Sequence, residues 1–266
     1  MDYAELAPAP ALREVVRCYW FLAGPEGPTE PDPALPDGSP ELIFSLAAPF
    51  VAVGADGAER EQPSRFLVGQ ITGPFAVRGT GRADLVGVRL EAHGATWLAP
   101  DLSALTDSWI DLAGASNGAL DVVAGELTHA KSPAQRKAVL DAALVPLVAA
   151  GRAADWRVRD AVRAIRTSHG LADIAGLAKS LGTTPRSMQR LFARDVGISP
   201  KRLARMVRFQ RVFAAWRADP ASLARVAAEC GYFDHAHLVR DFRELAGLPP
   251  ASFLENQPEF TRFFVS

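Results

Sequence analysis

The chain is poor in residues that staple, ligate or anchor. It has only two cysteines, Cys18 and Cys230, far apart and both in apolar surroundings. That excludes a disulfide framework and suits a reducing cytoplasm, the expected location. Histidine is scarce: of five, only His93 falls within residues 1–128. A metal-dependent barrel enzyme would need a cluster of such ligands among its strands, so no metal and no cofactor is expected. No apolar run approaches the roughly 20 residues needed to span a bilayer. The acidic opening Met1-Asp2-Tyr3-Ala4-Glu5 lacks the charged-then-apolar pattern of a signal peptide. No membrane partner is expected.

Net charge is also nearly absent, at −1, but the balance hides a division. Residues 155–266 carry 18 Lys and Arg against 11 Asp and Glu, a balance of +7, and residues 1–154 carry the opposite, −8. A basic C-terminal part beside an acidic N-terminal part points to a polyanionic partner for one of them. With 48% hydrophobic residues, 266 positions suffice for one or two cored domains.

The first hundred residues read mainly as strands. Cys18–Leu22, Glu41–Leu46, Arg65–Val68 and Asp84–Leu90 are short, β-rich and bounded by Gly or Pro. Six prolines, from Pro25 to Pro40, predict an extended loop between the first two. Two helical patterns follow from Ala119 to Ala149, one expected to bend at Pro146. Gly151–Ala154 reads as a linker. The remainder is helical throughout. The expected fold class is α+β in two domains. Residues 1–150 should form a mainly-β barrel or sandwich with trailing helices. Residues 155–255 should form an all-α domain.

That helical part contains an imperfect repeat. Leu177-Ala178-Lys179-Ser180-Leu181-Gly182 is echoed by Val226-Ala227-Ala228-Glu229-Cys230-Gly231, and the two glycines lie 49 residues apart. Each copy continues through a polar turn into an apolar-and-basic helix, then closes at Gly197-Ile198-Ser199-Pro200 or Gly247-Leu248-Pro249-Pro250. A small residue four positions before a turn glycine lets two helices cross closely, and glycine accepts the turn's backbone conformation. Together they are the local chemistry of a helix-turn-helix. A helix from Lys201 to Arg217, opened by Ser199 and Pro200 and ended before Asp219-Pro220, joins the two units.

In the helix from Pro185, Met188, Leu191 and Phe192 form the core-facing stripe, which turns Arg186, Gln189 and Arg190 outward. The second helix, capped by Asp234, buries Leu238, Phe242 and Leu245 and presents His235, His237 and Arg240. Arg can grip guanine O6 and N7, Gln can do the same for adenine, and His can donate or accept at a base edge, so these six are the candidate base contacts. A connector of roughly 18 residues spans about 27 Å, which suits two recognition helices placed one DNA turn apart. Lys201, Arg202, Arg205, Arg208 and Arg211 load it with charge. Ser187, Lys201, Arg202 and Arg205 are the candidate phosphate contacts, and other connector cations pair with acidic neighbours.

The stretch from about 155 to 255 resembles the DNA-binding domain of AraC/XylS-type transcription regulators. Ala178, Gly182, Gln189-Arg190-Leu191-Phe192, Gly197-Ile198-Ser199-Pro200, Ala227, Cys230-Gly231-Tyr232, Asp234, Phe242 and Gly247-Leu248-Pro249-Pro250 carry the likeness. Less specifically, Leu35–Phe44, Phe66–Gln70, Gly87–Leu90 and His93–Ala95 resemble the uncharacterised β-rich domain fused to some of these regulators. The resemblance implies double-stranded DNA as partner. It also implies an N-terminal domain that senses a small-molecule effector or forms a homodimer, adjusting occupancy or RNA polymerase contact.

Three other patterns lead elsewhere. His235 and His237 lie two apart on a helix and so point away from one another, which rules them out as a shared metal pair. Gly114-Ala115-Ser116-Asn117-Gly118 matches a nucleophile elbow but lacks a parallel sheet and a placed His, and reads as a loop; no catalytic residue is expected. Trp20, Trp97 and Trp109 read first as core and second as pocket lining. The competing functional classes are an enzyme whose N-terminal domain is targeted to DNA and a protein that coats DNA without regard to sequence.

Overall fold

The computed structural model describes residues 2–24, 27–54, 56–218 and 222–255. Pro25 and the helix stop expected at Asp219-Pro220 lie outside them. Ten strands form the β-rich part: β1 (Asp2–Leu6), β2 (Val16–Ala23), β3 (Asp32–Ala34), β4 (Glu41–Ser45), β5 (Phe50–Val53), β6 (Glu59–Glu61), β7 (Arg65–Val68), β8 (Phe75–Gly79), β9 (Asp84–Leu90) and β10 (Trp109–Asp111). All pairings are antiparallel, in a six-stranded sheet ordered β1-β2-β9-β4-β7-β10 and a four-stranded sheet ordered β3-β8-β5-β6. The sheets face each other as an open sandwich, and among the described residues no barrel closes.

Period-2 alternation gives the larger sheet two apolar faces. Leu42, Phe44, Val86 and Val88 are fully buried against α1 (Ala119–His129) and α2 (Pro133–Ala150) through Leu120, Leu127, Leu140 and Leu144. Their neighbours Trp20 and Leu85 turn to the smaller sheet and meet Phe50 and Val77. Gly87, paired with Trp20, makes room for the indole: a Cβ there would fall 1.9 Å from the ring. The stretch expected to be only loop, around Pro31 to Pro36, contains β3. Pro33 is tolerated there because the strand lies at a sheet edge. Helix α2 continues through Pro146, which sits on its exposed face where water can satisfy the carbonyl the ring leaves unbonded.

The helical part comprises α3 (Trp156–Thr167), α4 (Ile174–Ser180), α5 (Pro185–Val196), α6 (Pro200–Ala218), α7 (Leu223–Glu229), α8 (His235–Ala246) and α9 (Pro250–Glu255). Its core gathers Val158, Val162, Phe192, Leu203, Phe209, Phe213 and Phe242, with Phe209, Phe213 and Phe242 meeting ring to ring at centroid separations of 4.9–5.6 Å. Two members of this core, Leu35 and Ala92, come from the β-rich part.

Candidate functional site

The repeat in the sequence becomes two helix pairs of the same construction, α4 with α5 and α7 with α8. Ala178 and Ala227 are buried at the crossings, and Gly182 and Gly231 take φ of +65° and +76°. The amides of Thr183 and Tyr232 donate back to the carbonyls of Ala178 and Ala227 at 3.0 and 2.9 Å, which fixes the turns. Thr184 caps α5 through the Ser187 amide and Asp234 caps α8 through the His237 amide, so both second helices start on satisfied donors. Helix α6 joins the pairs. Its 19 residues span about 28 Å.

On α5, Arg186, Gln189 and Arg190 are exposed, and on α8 so are His235 and Arg240. None of Arg186, Arg190 and Arg240 has a salt-bridge partner among the described residues. His237 differs. It is half-buried, its ring stands edge-on to Tyr232, and its Nε2 lies 3.9 Å from Asp241 Oδ1. Among the expected phosphate contacts, Ser187 is half-buried and Lys201 is exposed. Arg202 and Arg205 are engaged within the protein: Arg202 donates to the Thr72 carbonyl at 2.9 Å, and Arg205 pairs with Asp241 at 2.8 Å and with both oxygens of Glu244. Charge counting along the connector could not separate these roles, because the acids they meet lie on α8.

Each unit also encloses one acid that the sequence reading passed over. Asp195, with none of its surface exposed, accepts from Arg194, from Arg152 at 2.8 Å and from the Asp155 amide at 2.9 Å, tying the end of α5 to the segment before α3. Burial opposes its ionisation, yet these donors win and hold its carboxyl below the usual range. Asp241 is the counterpart in α8, held by Arg205 with Arg208 3.7 Å away. Their signal was present: each is a carboxylate placed within an apolar stripe, beside Phe192 and Val196 or Leu238 and Leu245. Phe233, immediately before the α8 cap, is 93% exposed and adjoins the candidate base contacts.

A cavity of about 100 Å³ lies between the two sheets. Trp20, Phe50, Phe66 and Phe75 form much of its wall, and Asp37, Glu41, Gln62 and Arg89 bring polar atoms into it. Trp109 lines a neighbouring groove under Arg60, whereas Trp97 packs against Gly151. The loop that closes the cavity, residues 34–39, also touches the helical part. Gln210 donates to the Pro36 carbonyl at 2.8 Å, and Arg166 donates to the Gly38 carbonyl at 3.0 Å and pairs with Glu91. A second cavity loop continues from Ile71 to Thr72, the residue that receives Arg202. Two further contacts, Leu102 amide to Arg194 carbonyl and Thr106 to Gly197 carbonyl, both 2.8 Å, hold the end of α5. Among the described residues no helix is long and apolar enough to cross a membrane, and no three His, Cys, Asp or Glu are grouped to hold a metal.

Two capped helix-turn-helix units on one connector define a DNA-binding domain. Residues 177–256 match the family model described as a helix-turn-helix domain. Residues 4–111 match a domain of unknown function, DUF6597. The HTH-type transcriptional regulator GbdR of Pseudomonas aeruginosa is 29% identical over 86 residues, 32% of this chain. The match spans 23% of that relative's length. Among solved structures, unsaturated-fatty-acid-bound ToxT from Vibrio cholerae aligns over 90% of this chain and 96% of its own, at 11% identity and a TM-score of 0.49. The AraC-like transcriptional activator CuxR aligns over 75% and 76%, at 16% identity and a TM-score of 0.29.

Proposed function

We propose that the protein is a sequence-specific transcription regulator, in which residues 155–255 read duplex DNA and residues 1–150 sense an effector or self-associate. The observation that carries this reading is the pair of capped helices α5 and α8, at equivalent positions in two units, each presenting arginine without a salt-bridge partner among the described residues. Arg186, Gln189, Arg190, His235 and Arg240 are the base contacts of this reading, and Phe233 joins them as an apolar contact for a thymine methyl. His237 is turned toward Tyr232 and Asp241 and reaches DNA only at its free edge. Lys201 and the Ser187 hydroxyl serve the phosphates. Arg202 and Arg205 serve them only after exchanging Thr72 or Glu244 for the duplex.

The sensing role rests on shared parts: the loops that line the cavity also receive Arg166, Gln210 and Arg202 from the helical part. A change of cavity occupancy that moves those loops would bear directly on α3 and α6. The reading is of a binding protein, not an enzyme. A homodimer and contact of the bound complex with RNA polymerase complete the proposal; sedimentation with and without operator DNA tests the first, and transcription in vitro the second.

Selection from random duplex DNA at physiological salt, with the full chain, tests the central claim. Truncation at residue 152 is unsuitable because it strips Leu35 and Ala92 from the helical core. The expected result is an enriched site with two blocks about one helical turn apart. Binding that salt removes entirely, with no enriched sequence, would support coating of DNA instead.

A further inference from the structure

A pocket of about 290 Å³ opens at the seam between the β-rich and helical parts. Arg17 from β2, Arg166 from α3 and Arg211 from α6 line it, and His169, exposed just beyond α3, adds an imidazole. Arg17 and Arg166 converge on one neutral oxygen: both donate to the Ser39 hydroxyl, at 2.9 and 3.3 Å. Guanidiniums that meet at a neutral group repel one another. Burial, and after it the charge of Arg17, pushes the Arg166 pKa below its ordinary value, with Glu91 and Asp37 opposing in part.

The carboxylates nearby do not cancel this charge. Asp37, the one acid in the pocket wall, stands 3.9 Å from Arg17 and is closer, at 3.6 Å, to Arg89. Glu91 meets Arg166 at 3.0 Å from outside the wall. Arg211 has no salt-bridge partner among the described residues. Even with Glu91 counted, three guanidiniums face two carboxylates, and an anion is the group that would relieve the excess.

The shape of the wall narrows the choice. Guanidiniums carried on three separate elements are better matched by the three tetrahedrally arranged oxygens of a phosphate than by the two coplanar oxygens of a carboxylate. Only Val207 and Ala214 bring apolar side chains to the wall, too little to enclose a hydrocarbon tail. From these contacts we infer that the seam pocket binds the phosphate group of a small phosphate monoester through Arg17, Arg166 and Arg211, joining β2 to α3 and α6. The inference goes beyond the effector-sensing reading and depends on it only for a consequence at DNA, not for binding itself.

The test uses the full chain, followed by calorimetry at matched ionic strength. Glycerol 3-phosphate and inorganic phosphate are the probes, glycerol is the uncharged counterpart, and acetate and oleate are the carboxylates. Glycerol 3-phosphate should bind at least about tenfold tighter than glycerol or acetate. Arg211→Gln should weaken it about tenfold while keeping the Tm, since no ion pair is lost. Ala214→Glu, at an exposed position of the wall, sets a carboxylate against the phosphate and should abolish binding with the fold intact. Equal affinity for glycerol and glycerol 3-phosphate, or tighter binding of acetate or oleate, overturns the assignment. Unchanged phosphate affinity in both variants places the anion elsewhere and overturns it too. If Arg211→Gln weakens a duplex lacking the selected site as much as it weakens glycerol 3-phosphate, the pocket takes the phosphates of DNA and the small-molecule assignment fails. Glycerol 3-phosphate that binds as expected but leaves DNA affinity unaltered supports the site and removes its regulatory role.

Discussion

Asp195→Ala removes one carboxylate on which three donors converge, and the structure sets the size of the effect. A hydrogen bond to a charged group contributes about 1.5–3 kcal/mol, and removing one partner of a buried ion pair costs about 3–5 kcal/mol. Arg152 and Arg194 have side chains 35% and 46% exposed, so water reclaims them when the acid is gone and their share must be discounted. The part-buried Asp155 amide, at the cap of α3, loses its acceptor outright. The net loss should be about 3 kcal/mol. For a chain of this size unfolding as one unit, that lowers the Tm by about 6–10 °C. Urea denaturation followed by circular dichroism measures it, and a double-mutant cycle with Arg152→Ala apportions it. Arg152→Ala alone should cost under about 1 kcal/mol. If Asp195→Ala loses less than Arg152→Ala, the acid does not organise the junction and the reasoning fails.

The other predictions concern recognition, coupling and pH. Arg190→Ala and Arg240→Ala should each cost about 1–3 kcal/mol against the selected site and relax base preference at separate positions. Lys201→Ala should weaken every sequence alike and flatten the salt slope by about one charge; equal losses across a sequence library for all three would refute the base assignments. Gly38 has φ +75°, and a Cβ there would lie 2.7 Å from Leu203 Cδ1. Gly38→Val should therefore strain the cavity loop and part it from α6, costing about 1–3 kcal/mol and altering DNA affinity without touching α5 or α8; unchanged DNA affinity would show that this loop carries no signal. His93 is buried with Nε2 on the Glu14 carbonyl, and burial pushes its pKa below the ordinary 6.5, with the carboxylates of Glu91 and Glu14 opposing in part. The unfolded chain takes up that proton more readily, so stability should fall as pH drops through 6.5 toward the folded value. His93→Gln should remove this slope, and an identical pH profile in both proteins would refute the assignment.

Some of this was legible along the chain because it rests on local chemistry. The α5 bounds, Pro185 to Val196, follow from Thr184 and Pro185 at one end and Gly197 at the other, all acting within one helical turn. The four expected strands are present because their alternation and flanking Gly or Pro are local too. Strands β5, β6 and β8 were not expected, since each is short and earns its place only by pairing across the smaller sheet. The exposure of Arg186, Arg190 and Arg240 follows from a 3.6-residue period that any stable helix must honour. That their cations are left unpaired is a statement about distant residues, which periodicity cannot make.

What the sequence determined by itself is the repeat: two helix-turn-helix units, their caps, their outward faces and the helix that joins them. Tertiary structure decided which cations remain free. Arg205 meets Asp241 and Glu244, 36 and 39 positions away, and Arg202 meets Thr72 across 130. It likewise brought Phe50 and Trp20, from opposite sheets, to one cavity, and placed Leu35 in the helical core. The physical reason is range. Backbone conformation and capping are settled within a few residues, whereas ion pairing and enclosure depend on which surfaces the folded chain brings within a few ångströms.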